Sequence, residues 1–163
     1  MRSFFLTPML RRWATLIRVS APRATASVAH EFALRYSNPP GLWKSSRLSQ
    51  LVEVQGARMI YLSGQTPTDA NYKVRGSDFR AQIDTVYDNI ETALRSVGAG
   101  LENIVKTTTY ITDPEDIGAL REARVARYKN LGAAPANTLL VVSRLAEPEF
   151  LIEIDVIAAV PAN

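Results

Sequence analysis

Three places in this sequence bring together side chains able to do chemistry. Ser63-Gly64-Gln65 sets a hydroxyl, a residue without a Cβ and a carboxamide in succession. Glu153 and Asp155 stand two residues apart in the run Ile152-Glu153-Ile154-Asp155-Val156. Arg121, Arg124 and Arg127 repeat every three residues. Glycine at position 64 allows a ligand to approach the backbone closely, and its neighbours supply donors and acceptors. A plain strand-to-loop turn would use the same residues. On a strand, residues two apart share a face, so Glu153 and Asp155 are presented together. A carboxylate there can orient a water or hold an ammonium or imine. The same pattern also fits the solvated face of an amphipathic strand. The arginines suit an anion or RNA patch, or a solvated helix face balanced by Glu115, Asp116 and Glu122.

Other chemistry lacks its parts. Cys is absent, which removes thiol nucleophiles, disulfides and Cys-ligated metals. The only histidine is His30, at the end of the Arg-rich opening, so a catalytic triad and a His-based metal site lack their parts in the folded domain. No Gly-rich phosphate loop occurs. No cofactor and no metal are therefore expected.

The elements that must carry these residues follow from periodicity. Leu51–Val54 and Met59–Leu62 read as short strands, with Gln55-Gly56-Ala57-Arg58 as a hairpin candidate between them. Phe79, Ile83, Val86, Ile90, Leu94 and Val97 step by three and four, which predicts a helix over 78–97. Ser77 or Asp78 can cap its start, and Gly98 and Gly100 stop it. Ile104–Thr112 is rich in β-branched residues and reads as a strand. Asp113-Pro114 breaks it, and a second helix over 115–131 follows. Thr138–Arg144 and Phe150–Val160 are the last two strands. The order β-β-α-β-α-β-β predicts an α+β domain, a mixed sheet with two helices on one face. Nothing in the chain is left to cover the other face, so other subunits are expected there.

Charge divides the chain. Residues 1–30 hold five Arg and no Asp or Glu, with Phe5, Met9, Trp13 and Leu16 at helical spacing. This is the composition of a mitochondrial transit peptide, with delivery to the matrix; a retained extension in the cytosol is the alternative. Residues 1–36 are read as presequence and flexible lead-in, with Arg35-Tyr36-Ser37 one candidate cleavage site, and 37–163 as the folded domain. From Glu31 onward, 14 Lys and Arg face 16 Asp and Glu, a net charge of −2. That balance suits neither nucleic acid nor, without an 18-residue apolar run, a membrane span.

The segments MIYLSGQ (59–65), DNIETALRSVGAGLENIVKTTTYITD (88–113) and APANTLLVVSRLAEPEFLIEIDVIA (134–158) together resemble the Rid (YjgF/RidA-type) family. The resemblance implies a chorismate-mutase-like fold, a homotrimer, and small-metabolite clefts between subunits. For the deaminating branch it implies hydrolysis of 2-imino or enamino acids to 2-oxo acids and ammonia. The family's serine falls on Ser63, beside Gly64 and Gln65, and its water-positioning glutamate falls on Glu153. The deaminating members carry an arginine for the substrate carboxylate where this chain has Asn137. Leu48 stands in place of a tyrosine, and Glu115 in place of a cleft asparagine. A guanidinium binds a carboxylate by two charge-assisted hydrogen bonds, and Asn offers one neutral NH₂. The loss is about 1.5–3 kcal/mol. The resemblance thus implies either an imine or enamine hydrolase weak on 2-imino acids, or a non-catalytic trimer that binds small ligands.

Overall fold

In the computed structural model, residues 31–162 are described. The Arg-rich opening, and with it the presequence reading, lies outside them. Six strands and two helices follow in the order β1 (Ala33–Ser37), β2 (Leu51–Gln55), β3 (Ala57–Gln65), α1 (Phe79–Arg95), β4 (Ile104–Ile111), α2 (Ile117–Tyr128), β5 (Ala136–Val141) and β6 (Ile152–Pro161). The main sheet has the order β3-β6-β4-β5. Its first two pairings are antiparallel and β4–β5 is parallel, so the sheet is mixed as expected.

β6 lies inside the sheet, and its alternation builds two faces. Ile152, Ile154, Val156, Ala158 and Val160 are buried and join one core with Phe79, Ile83, Val86, Ile90 and Leu94 of α1 and Leu120 and Tyr128 of α2. Each buried Val, Leu, Ile or Phe among them contributes about 1.5–3 kcal/mol by leaving water. The intervening Glu153, Asp155 and Ile157 turn to the opposite face. In register beside them on β4 stand Tyr110, Thr108 and Lys106. No helix of the described residues covers that face. Tyr61 on β3 is 73% exposed, and Leu140 and Met59 are also exposed.

α1 begins at the Asp78 cap, whose carboxylate accepts from the Ala81 N–H at 3.0 Å. It closes at Ser96, and the Ala99 N–H returns to the Leu94 carbonyl. Among the described residues no helix is long and apolar enough to cross a membrane.

Two expectations are corrected. β2 and β3 do not form a hairpin. β3 pairs with β6, and β2 pairs with β1 in a separate two-stranded sheet. Only Gly56, at φ +59°, separates them, and one left-handed residue bends the chain where a hairpin loop needs at least two. Residues 33–36, read as flexible lead-in, belong to β1. The Tyr36 hydroxyl ties that strand down by donating to the carbonyls of Ile104 (3.1 Å) and Glu102 (3.3 Å).

Candidate functional site

The open end of the sheet gathers Glu153, Asp155 and Tyr110 into a cleft of about 470 Å³, with Arg144 and Leu145 from the turn after β5 on its wall. The Tyr110 hydroxyl donates to Asp155 Oδ2 at 3.1 Å, which leaves Glu153 as the carboxylate outside that bond. Burial, followed by the charge of Asp155, raises the Glu153 carboxyl above the ordinary range of a glutamate. A carboxylate held this way accepts a proton more readily than one in bulk water.

Gly64 stands against the same carboxylate. A Cβ built on residue 64 would overlap Glu153 Oε1 and sit 2.8 Å from Cδ. The register of β3 on β6 slips between Leu62, paired with Val156, and Gln65, paired with Ile154, so Ser63-Gly64 form an irregularity opposite Asp155, one residue from the partner of Gln65. That places the glycine of the Ser-Gly-Gln segment where only a residue without a side chain leaves room. Ser63 is exposed beside it, and Gln65 Nε2 folds back to the Ser63 carbonyl at 2.9 Å. Ser63, Gly64, Gln65 and Glu153 are thus brought together.

Two amides unremarked in the sequence hold the surrounding loops. Asn89 on α1 donates to the carbonyls of Thr66 (3.1 Å) and Thr68 (2.9 Å), fixing the loop that leaves Gln65. Gln82, buried in α1, accepts from the Leu151 N–H (2.9 Å) and donates to the Glu149 carbonyl (2.8 Å), fixing the entry to β6. Both are polar residues within an apolar helical pattern, which is the signal that marks them.

Asn137 lies elsewhere. It pairs in register with Thr107 on the helix side of the sheet, away from the Glu153 cleft. Its Oδ1 accepts from Thr107 Oγ1 (2.9 Å) and from Arg124 Nη1 (3.0 Å). Arg124 is only 4% exposed. This corrects the reading of the three arginines as one solvated face. A step of three residues turns a helix by 300°, so successive arginines drift around it. Arg121 stays exposed, Arg124 points into the protein, and Arg127 reaches α1, pairing with Asp84, Asp88 and Glu91 at 3.0–3.2 Å.

The profile of the family described as Endoribonuclease L-PSP matches residues 44–160. The chain is a member of the Rid (YjgF/RidA-type) family. It is 35% identical to the protein DfrA of Myxococcus xanthus over 111 residues, 68% of this chain and 82% of the relative. It is 31% identical to the 2-iminobutanoate/2-iminopropanoate deaminase of Escherichia coli K12 over 109 residues, 64% of this chain and 84% of that enzyme. A crystal structure of the Rid-family protein YyfB from Yersinia pestis, described as of unknown function, superposes with a TM-score of 0.72 at 33% identity. The match covers 78% of this chain and 98% of that one.

Within this Rid chain the fold is the chorismate-mutase-like α+β arrangement expected, with two helices against a mixed sheet. Glu115, the residue set against a cleft asparagine, is exposed in the 3-10 turn Pro114–Asp116, outside the lining of the Glu153 cleft. Leu48 is half-buried in the segment before β2. Among the described residues no group of three His, Asp or Glu is placed to hold a metal ion.

Proposed function

We propose that this Rid-family protein is a hydrolase of reactive imines or enamines, releasing an oxo compound and ammonia. The observation that carries the reading is Glu153: a half-buried carboxylate, raised in pKa, seated on the bare backbone of Gly64 in an open cleft. In the proposed step water adds to the imine carbon while Glu153 takes one of its protons. That proton passes to nitrogen, giving the carbinolamine; Glu153 then takes the hydroxyl proton and delivers it to the same nitrogen, so that the C–N bond breaks and ammonia departs as the C=O forms. One water is consumed, and Glu153 ends as it began. No cofactor is needed.

The likeness to an enzyme named 2-iminobutanoate/2-iminopropanoate deaminase supports this class of reaction. A second reading, a non-catalytic binder of small metabolites, is favoured by Asn137 at the position where the deaminating members carry arginine. Ammonia release from 2-iminobutanoate generated in situ separates the two. Release faster than the uncatalysed rate supports the hydrolase, and a rate equal to it supports the binder.

The working form in this reading is a homotrimer. The exposed Tyr61, Met59 and Leu140 on the uncovered sheet face give it an apolar surface to bury. Light scattering on the eluted protein should give three times the subunit mass, and a stable monomer at micromolar concentration counts against it. The partners proposed are therefore other copies of the chain and a small imine, enamine or 2-oxo acid. Nucleic acid is not among them, given the net charge of −2 from residue 31 onward. The mitochondrial matrix is the proposed location, on the composition of residues 1–30.

A further inference from the structure

Tyr72 is held in a backbone conformation that disfavours it. Its φ is +61°, and among the described residues no other non-glycine has a positive φ. A bulky residue is rare there, because its Cβ crowds the following carbonyl oxygen. The turn that imposes the conformation is closely tied. Thr68 and Val74 bridge across it, and the Asp69 carboxylate accepts from the N–H groups of Asn71 (2.9 Å) and Lys73 (3.1 Å). The Tyr72 N–H donates to the Asp69 carbonyl at 3.0 Å. Glycine would adopt this geometry without strain.

The tyrosine gives the fold little in exchange. It is 60% exposed. Its ring meets Phe150 edge-on with centroids 6.1 Å apart, and its hydroxyl reaches Glu147 Oε1 only at 3.5 Å. What the turn secures is the position of the ring. Glu147 follows Ala146, which with Leu145 lines the Glu153 cleft, and Phe150 precedes Glu153 by three residues. Desolvation first, then the charge of Glu147 and finally that of Glu153, raise the phenol above its ordinary range, so the ring stands within the field of the cleft. Strain that folding does not need, kept at the rim of a cleft, points to use there.

We propose that Tyr72 is a specificity-determining residue of the Glu153 cleft: its exposed ring extends the apolar wall of Leu145 and Ala146 at the rim and takes the side chain of the substrate. The class favoured is imines with an apolar chain of several carbons over the smallest ones. The inference rests on the hydrolase reading for the reaction but not for the binding. Each CH₂ that leaves water against the ring strengthens binding by roughly fourfold at full burial.

The test is calorimetric binding of pyruvate, 2-oxobutanoate and 2-oxohexanoate to the full-length protein. Wild type should bind them in rising order, with 2-oxohexanoate about tenfold or more tighter than pyruvate. Tyr72→Ala should bind pyruvate as wild type does and lose the rise with chain length. Tyr72→Phe keeps the ring and should keep the rise. Tyr72→Gly separates ring from backbone: it should lose the rise as Tyr72→Ala does, yet melt at a higher temperature than that variant, since glycine is at ease with φ +61°. A wild type without the rise, or a rise that survives in Tyr72→Ala, overturns the proposal. So does a rise kept in Tyr72→Gly and lost in Tyr72→Ala, which would make binding follow stability and leave Tyr72 a structural role. A rise that depends on the ring, together with no ammonia release from 2-iminobutanoate, leaves this assignment standing and removes the hydrolase reading alone.

Discussion

The carboxylate of Glu153 occupies the space that a side chain at residue 64 would need. Glu153 Oε1 and Cδ both fall within overlap distance of a Cβ built on Gly64. Two segments nearly ninety residues apart in sequence are therefore matched atom to atom: β3 supplies the gap and β6 fills it. Gly64→Ala should cut kcat/KM for imine hydrolysis by about 10- to 100-fold, the range in which small misplacements of a reacting group fall. The melting temperature should move little, since the glutamate can swing into the open cleft. Steady-state kinetics beside a thermal melt checks both halves of this expectation.

The pH dependence follows from the raised carboxyl of Glu153. Burial first, and Asp155 second, favour its protonated form. Activity should fall on the acid side as Glu153 is protonated, with the midpoint above the ordinary glutamate value of about 4.3. Asp155→Asn removes the second cause and should move that limb to lower pH. The linkage to stability has the opposite sense. The folded state binds this proton more tightly than the unfolded chain, so Glu153 contributes stability that is complete below the unfolded value. That stability is lost as pH rises through the folded one. A pH–rate profile of the two proteins is the measurement; coincident acid limbs would count against the assignment.

Gln82 should matter for stability rather than chemistry. Gln82→Ala leaves the Leu151 N–H and the Glu149 carbonyl without their partner at a partly buried junction. A loss of about 1–3 kcal/mol is expected. Urea unfolding gives it as a lower midpoint at unchanged slope.

The open face of the sheet predicts the effect of a charge placed on it. Tyr61→Glu puts a carboxylate on the most exposed large apolar side chain of that face. The proposed trimer should dissociate at micromolar concentration while the monomer keeps its helical signal. Light scattering with circular dichroism reads both.

Removal of the Arg-rich opening is expected to stop short of β1. Cutting at Tyr36 would take away the hydroxyl that bonds to the Glu102 and Ile104 carbonyls and four of the five residues of the strand. N-terminal sequencing of the endogenous protein should therefore find its first residue before Ala33. An intact Met1 in a cytosolic fraction would contradict the targeting itself.

The parts of the fold legible in the sequence are those where one local period dominates. α1 falls within two residues of its expected ends because Phe79, Ile83, Val86, Ile90 and Leu94 share one helical stripe and Asp78 caps it; Val97, the sixth residue of the pattern, lies past the end and is exposed. Glu153 and Asp155 share a face because strands alternate every second residue. The hairpin misread at Gly56 depends on a partner strand, β6, about a hundred residues later, which no local pattern reports. β1 was hidden because its five residues alternate weakly and owe their order to β2 and to Tyr36. The role of Arg124 was hidden for a different reason. Arginine is usually solvated, and only the packing of α2 on β4 and β5 brings that guanidinium to Thr107 and Asn137.

Imine hydrolysis by this protein depends above all on Glu153 as the proposed group that handles the water. The decisive measurement is the single-turnover rate of 2-oxobutanoate and ammonia formation from 2-iminobutanoate by wild type and by Glu153→Gln, at equal occupancy with substrate. The rate in the variant should be at least about 100-fold lower, as loss of a general base gives, with 2-oxobutanoate still bound. Equal rates in the two proteins would contradict it.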